Sequence, residues 1–227
     1  MLTPLQQQIA SIVGNLPEAQ QFPLAGGAAL IARGDVDRLT RDLDFFGPSA
    51  IAVDQLIPVI EHAFREAGMT VKRIREGSGF YRLEVSQADE ITEVDFGVDF
   101  RLLPVEQGPL GPTLSGEELA INKVLAVFGR AEARDFVDLS VLAKRYGLES
   151  LMGRAVEKDP GFDPQIFRQM LGRHGRLPRD EFEISDQGYQ ALVQTIGGWQ
   201  SELADLTLDR LRRRKELDRD DDIGLGR

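Results

Sequence analysis

The 227-residue chain is 42% hydrophobic and carries 27 basic against 37 acidic side chains, a formal net charge of −10. That is the composition of a globular protein, not a disordered one, and no apolar run is long enough to cross a bilayer, so a cytoplasmic setting without a membrane partner is expected. Without cysteine, disulfides, thiolate zinc sites and a cysteine nucleophile are excluded, any metal is expected to be a hard cation held by carboxylates, and the negative charge argues against a broad basic face for nucleic acid.

Thr3-Pro4 followed by Leu5, Ile9, Ile12 and Val13 predicts a short amphipathic helix closing near Gly14. Phe22 to Ala25 is a short apolar run entering Gly26-Gly27, after which Ala28 to Ala32 predict a brief helix ended by Gly34. Asp42-Leu43-Asp44-Phe45-Phe46 alternates as a strand and breaks at Gly47-Pro48. Asp54 is then expected to cap a helix with apolar positions from Leu56 to Ala67. From Met69 to Pro104 the period changes to two, predicting three strands, the last two an antiparallel hairpin about Ala88-Asp89. The Gly- and Pro-rich segment 107–115 reads as a linker. Helical spacing follows over Glu117 to Phe128, Ala133 to Tyr146, Asp163 to Leu171 and Asp186 to Arg214, the last expected to break at Gly197-Gly198. Arg210, Arg212, Arg213, Arg214 and Lys215, followed at once by acids, read as a solvated helix end. The expected organisation is an α+β lobe over 1–106, a linker over 107–115 and an all-helical lobe over 116–227.

Residues two apart on a strand point the same way, so Asp42 and Asp44 project together while Leu43 and Phe45 face the core. Two ionised carboxylates side by side repel, and magnesium is the natural cation to hold them. Gly26-Gly27 upstream lets backbone approach a phosphate at a helix start. Asp95 shares a strand face with Glu93 and Asp99, and three carboxylates from neighbouring strands can hold two magnesium ions roughly 3.5–4 Å apart. Each feature alone has a plainer reading: a solvated strand end for Asp42 and Asp44, an exposed sheet face for Asp95 and Asp99.

The stretches Leu24 to Leu30 and Arg38-Leu39-Thr40-Arg41-Asp42-Leu43-Asp44-Phe45-Phe46 closely resemble motif I of the AbiEii/AbiGii toxin-like nucleotidyltransferases. Downstream, Glu118 to Arg130 with Lys123, continuing to Arg134-Asp135-Phe136-Val137-Asp138, is similar to the later motifs of that family. The resemblance implies a polymerase β-like nucleotidyltransferase core with a mixed sheet. It implies a nucleoside triphosphate as substrate, and magnesium at Asp42, Asp44 and Asp95, with Asp95 as third acid. It also implies that Lys123, supported by Arg130 or Arg134, neutralises the triphosphate. Asp138 is implied as the functional acid, while Asp135 stays open between that role and a structural salt bridge. Arg38 either reaches the triphosphate or braces the two acids, and Thr40 hydrogen-bonds the loop. Gly26-Gly27 stands where many of these toxins have Gly-Ser, so a serine contact to phosphate is missing.

The implied protein is an active nucleotidyltransferase, the toxin of a toxin–antitoxin or phage-defence pair, with a cognate antitoxin and transfer RNA as acceptor. An RNA acceptor would have to meet cations such as Arg168, Arg173, Arg176 and Arg179. Two other readings stay open: transfer to a small, antibiotic-type acceptor, which suits an acidic protein, and a catalytically silent nucleotide-binding module.

Overall fold

α1 (Pro4–Asn15) begins with a reciprocal cap: Thr3 Oγ1 accepts the Gln6 amide and the Gln6 side chain accepts the Thr3 amide, with proline in the first turn. The computed structural model describes the backbone of residues 1–224 and the side chains of residues 1–205. The chain divides into two units, Met1–Asn122 and Lys123–Arg227.

In the first unit the strands are β1 (Leu24–Ala25), β2 (Asp42–Gly47), β3 (Thr70–Gly77), β4 (Phe80–Gln87), β5 (Glu90–Val98), β6 (Val105–Gly108) and β7 (Gly111–Leu114). They form one seven-stranded sheet in the order β3-β4-β5-β2-β1-β7-β6. β2 runs parallel to β5 and β1 parallel to β7, and the other neighbours are antiparallel, so the sheet is mixed as expected. α2 (Gly26–Ala32) follows β1 directly, and α3 (Ala50–Glu66) connects β2 to the meander β3-β4-β5. Along the central strands Leu43, Phe45, Leu83, Val85, Val94 and Phe96 are buried, together with Val53, Ile57, Ile60 and Phe64 of α3 and Ile9 and Val13 of α1. The side chains in between look out of the opposite face.

Two expectations change here. Ser49, not Asp54, caps α3, accepting the Ala52 amide; the helix starts a turn earlier and absorbs Pro58, while Asp54 accepts the Gly79 amide at 3.0 Å. Residues 107–115 are not a linker but most of the β6–β7 hairpin. The glycines serve close approach: a Cβ on Gly111, whose φ is 110°, would lie 2.5 Å from Gly14 Cα at the end of α1. Ser115 then accepts the Glu118 amide at the start of α4 (Gly116–Gly129), and the division between units falls inside that helix.

The second unit is helical among its described residues: the rest of α4, α5 (Ala133–Tyr146), α6 (Leu148–Lys158), α7 (Pro164–Leu171) and α8 (Asp186–Gly224), with short 3₁₀ turns at Gly172–Arg176 and Arg179–Phe182. Rings of Phe128, Phe162 and Phe167 run through its core at centroid spacings of 5.0 and 5.5 Å. α6 was not expected from the sequence. α8 continues through Gly197-Gly198 because Ile196 and Trp199, both buried, hold the helix on either side. The cost of about 1 kcal/mol per mid-helix glycine is outweighed by that packing. The side chains of Arg210 to Lys215 lie outside the described residues.

Candidate active site

Leu43 and Phe45 are fully buried, and Phe45 stacks on Phe96 of the neighbouring strand with centroids 5.4 Å apart. That core contact sets the direction of the alternate residues, so Asp42 and Asp44 stand half-exposed on the opposite face. Thr40 Oγ1 donates to Asp42 Oδ1 at 3.1 Å. Ala25 pairs with Asp44, and the chain then turns at Gly26 with a φ of 59°. A Cβ on Gly26 would lie 1.8 Å from Asp44 Oδ2, so this turn is first of all a seat for the carboxylate. A Cβ on Gly27 would lie 2.5 Å from Arg38 Nη2, which places the Arg38 guanidinium over the start of α2, where Nη1 donates to Leu39 O at 2.7 Å. The sheet and its loops thus bring Gly26, Gly27, Arg38, Thr40, Asp42 and Asp44 together.

The parallel register sets Asp95 directly beside Asp44, and Glu93 beside Asp42. The antiparallel register sets Arg82 opposite Asp95. Arg82 Nε and Nη2 donate to the two Asp95 oxygens at 2.8 and 2.6 Å, and Nη1 lies 3.0 Å from Glu93. These bonds to Asp95, with the charges of Asp95, Glu93 and Asp42, outweigh partial desolvation and raise the guanidinium above its ordinary value. Arg82 was missed in the sequence, although counting outward from the expected Ala88-Asp89 turn pairs it with Asp95. Asp42 and Asp44 offer the hard oxygen donors that magnesium prefers and fit such an ion. Among the described residues no three acids or histidines are grouped to hold a metal, and both Asp95 oxygens accept from Arg82.

Lys123 belongs to the second unit. Its ammonium lies 3.1 Å from Asp135 and 2.8 Å from Asp138, both fully buried on one face of α5. Arg130 adds a two-bonded contact to Asp135 at 2.9 and 3.0 Å, and Arg134 pairs with Glu132 at 3.0 Å. Burial alone would raise the Asp135 carboxyl, but the Arg130 bonds and the Lys123 charge reverse this and hold it below the usual carboxylate range. Two buried carboxylates facing two cations make a neutral cluster, the condition under which buried charge is tolerated. Further along, Arg173 and Arg176 line a depression of about 390 Å³ with Gln169, Met170 and Gly172, whereas Arg179 is tied to Asp186 at 3.0 Å. No helix among the described residues is long and apolar enough to cross a membrane.

A model of the family described as nucleotidyl transferase AbiEii toxin, type IV toxin–antitoxin system, matches residues 11–221. No curated protein matches the chain. Among solved structures, JHP933 from Helicobacter pylori is similar with a TM-score of 0.56 at 20% identity, covering 96% of this chain and 100% of that one. MenT4, a nucleotidyltransferase toxin from Mycobacterium tuberculosis H37Rv, is similar with a TM-score of 0.52 at 18% identity, covering 84% of this chain and 90% of that one.

Proposed function

The chain belongs to the AbiEii family of nucleotidyl transferase toxins, and from that premise we propose that it moves a nucleotide from a nucleoside triphosphate to transfer RNA, with magnesium held by Asp42 and Asp44. The chain is a nucleotidyltransferase of a toxin–antitoxin family, so a cognate antitoxin is its expected partner. The observation that supports the acid assignment most is the fit between Gly26 and Asp44: a left-handed glycine lets the backbone close on a half-exposed carboxylate, a constraint that core packing does not require.

A bound magnesium ion supplies neutralisation of phosphate charge and polarises the reacting phosphoryl group. The chain's own residues orient and screen. Asp42, steadied by Thr40, and Asp44, seated on Gly26, provide the oxygen ligands, with Asp95 as third acid. Arg38, above Gly27, is placed to meet triphosphate oxygens. Lys123 gives two of its three N–H donors to Asp135 and Asp138, and the third is assigned to the triphosphate, with Arg130 and Arg134 adding positive charge. Asp138, which holds Lys123 at 2.8 Å, is assigned as the functional acid of that group.

The decisive experiment incubates the purified chain with each labelled nucleoside triphosphate and magnesium, together with total RNA, cell protein or a small-metabolite extract. Label on RNA that disappears in Asp44→Asn is the expected result. Label on a small metabolite would instead establish the small-acceptor reading, which the net charge of −10 favours. Label nowhere, with triphosphate still bound, would establish the silent module.

A further inference from the structure

We propose that Arg82 is a resident cation competing with a divalent ion for Asp95, so that without nucleotide the site takes one ion at Asp42 and Asp44 and admits another only when Arg82 is displaced. The proposal rests on the assignment of Asp42 and Asp44 as the metal-holding pair and goes beyond it, because it concerns how many ions the site takes and what controls the second.

The geometry of the pair is the ground for it. Arg82 meets Asp95 fork to fork, with both oxygens engaged at 2.8 and 2.6 Å, and its remaining terminal nitrogen turns to Glu93 at 3.0 Å. A divalent ion needs those same oxygens at roughly 2.0–2.1 Å, and a guanidinium already on both of them repels it. The Asp95 side chain is 8% exposed, so water screens this competition little, while Arg82 at 36% reaches solvent. Arginine stays protonated at every working pH, so the competition is relieved by movement and not by titration. Arg82 also lies within the field of Asp42, so it answers charge across the whole acid group and not only its direct partner. A triphosphate offers Arg82 oxygens in the same two-pronged arrangement that Asp95 does. Arrival of nucleotide therefore has a way to free Asp95, and the second ion is admitted when there is a substrate for it to act on.

Manganese, as the probe ion, would be titrated into the full chain without nucleotide, with free ion read by electron paramagnetic resonance. The wild type is expected to bind one ion, and Asp44→Asn to lose it. Asp95→Asn is expected to leave manganese binding within about twofold of wild type, because that oxygen pair is not a ligand while Arg82 holds it. Arg82→Gln is expected to bind a second ion, or the first about tenfold more tightly, the scale of removing one positive charge a few ångströms away. Two ions on the wild-type chain, or a loss in Asp95→Asn equal to that in Asp44→Asn, would overturn the proposal, and neither result depends on the folding of Arg82→Gln. If Asp42→Asn and Asp44→Asn both bind manganese as wild type does, the metal assignment itself falls, an outcome distinguishable from failure at Asp95.

Discussion

Whether Asp44 can stand where it does is decided by a hydrogen in place of a methyl group at position 26. Gly26→Ala would set a Cβ 1.8 Å from Asp44 Oδ2 at a backbone φ of 59°. It is expected to cost about 1–3 kcal/mol in urea unfolding and to abolish label transfer. Asp44→Asn, by contrast, should abolish transfer with circular dichroism and melting unchanged or improved, since it removes a repelling charge and keeps the shape. Lys123 sits under a different constraint. Lys123→Ala removes the ammonium that the buried Asp135 and Asp138 share, so a loss of about 3–5 kcal/mol in stability is expected. At a temperature where the variant stays folded, transfer should still fall by about two to three orders of magnitude. The exposed Lys144→Ala should show neither effect. Acid should act through the same cluster. Asp135 is held below its unfolded value of about 3.9, so its contribution is complete above about pH 5 and drains away as pH falls through the lower folded value. Urea melts between pH 7 and 3 should show this loss, and Asp135→Asn, already weaker at neutral pH, should flatten it.

At the scale of elements, the acid strand was legible because its core residues and its carboxylates alternate strictly, and a period of two leaves few alternatives. The meander after it was legible for the same reason. Arg82 escaped notice because its meaning depends on register, which is a relation between two strands and not a property of either. The hairpin at 105–114 was hidden by its own glycines, which signal flexibility in isolation but here permit contact with the end of α1. The start of α3 was misplaced because two acceptors five residues apart, Ser49 and Asp54, both read as caps, and only the folded chain shows Asp54 engaged at Gly79. The 3₁₀ turn carrying Arg173 and Arg176 has a testable part to play if RNA is the acceptor. Reversing both charges should weaken RNA labelling and flatten its salt dependence while triphosphate binding is unchanged, as a filter-binding titration would show.

At the scale of the whole molecule, the seven strands of one sheet are drawn from residues 24 to 114, and β1 pairs with β7 across nearly that entire span. A chain ending at residue 106 therefore lacks the parallel partner of β1 and should fail to give a cooperative melt, whereas one ending at residue 122 retains every strand. Gly26 leaves β1, and Asp44 is paired to it, so the seat for the carboxylate lies on the strand that β7 flanks. The order of synthesis gives this pairing a meaning for the cell. The strands bearing Asp42, Asp44 and Asp95 emerge from the ribosome first, and the sheet they belong to gains its last strand only when the stretch ending at Leu114 has followed. Through the first half of its own synthesis the nascent chain thus carries these acids on a sheet that is not yet whole.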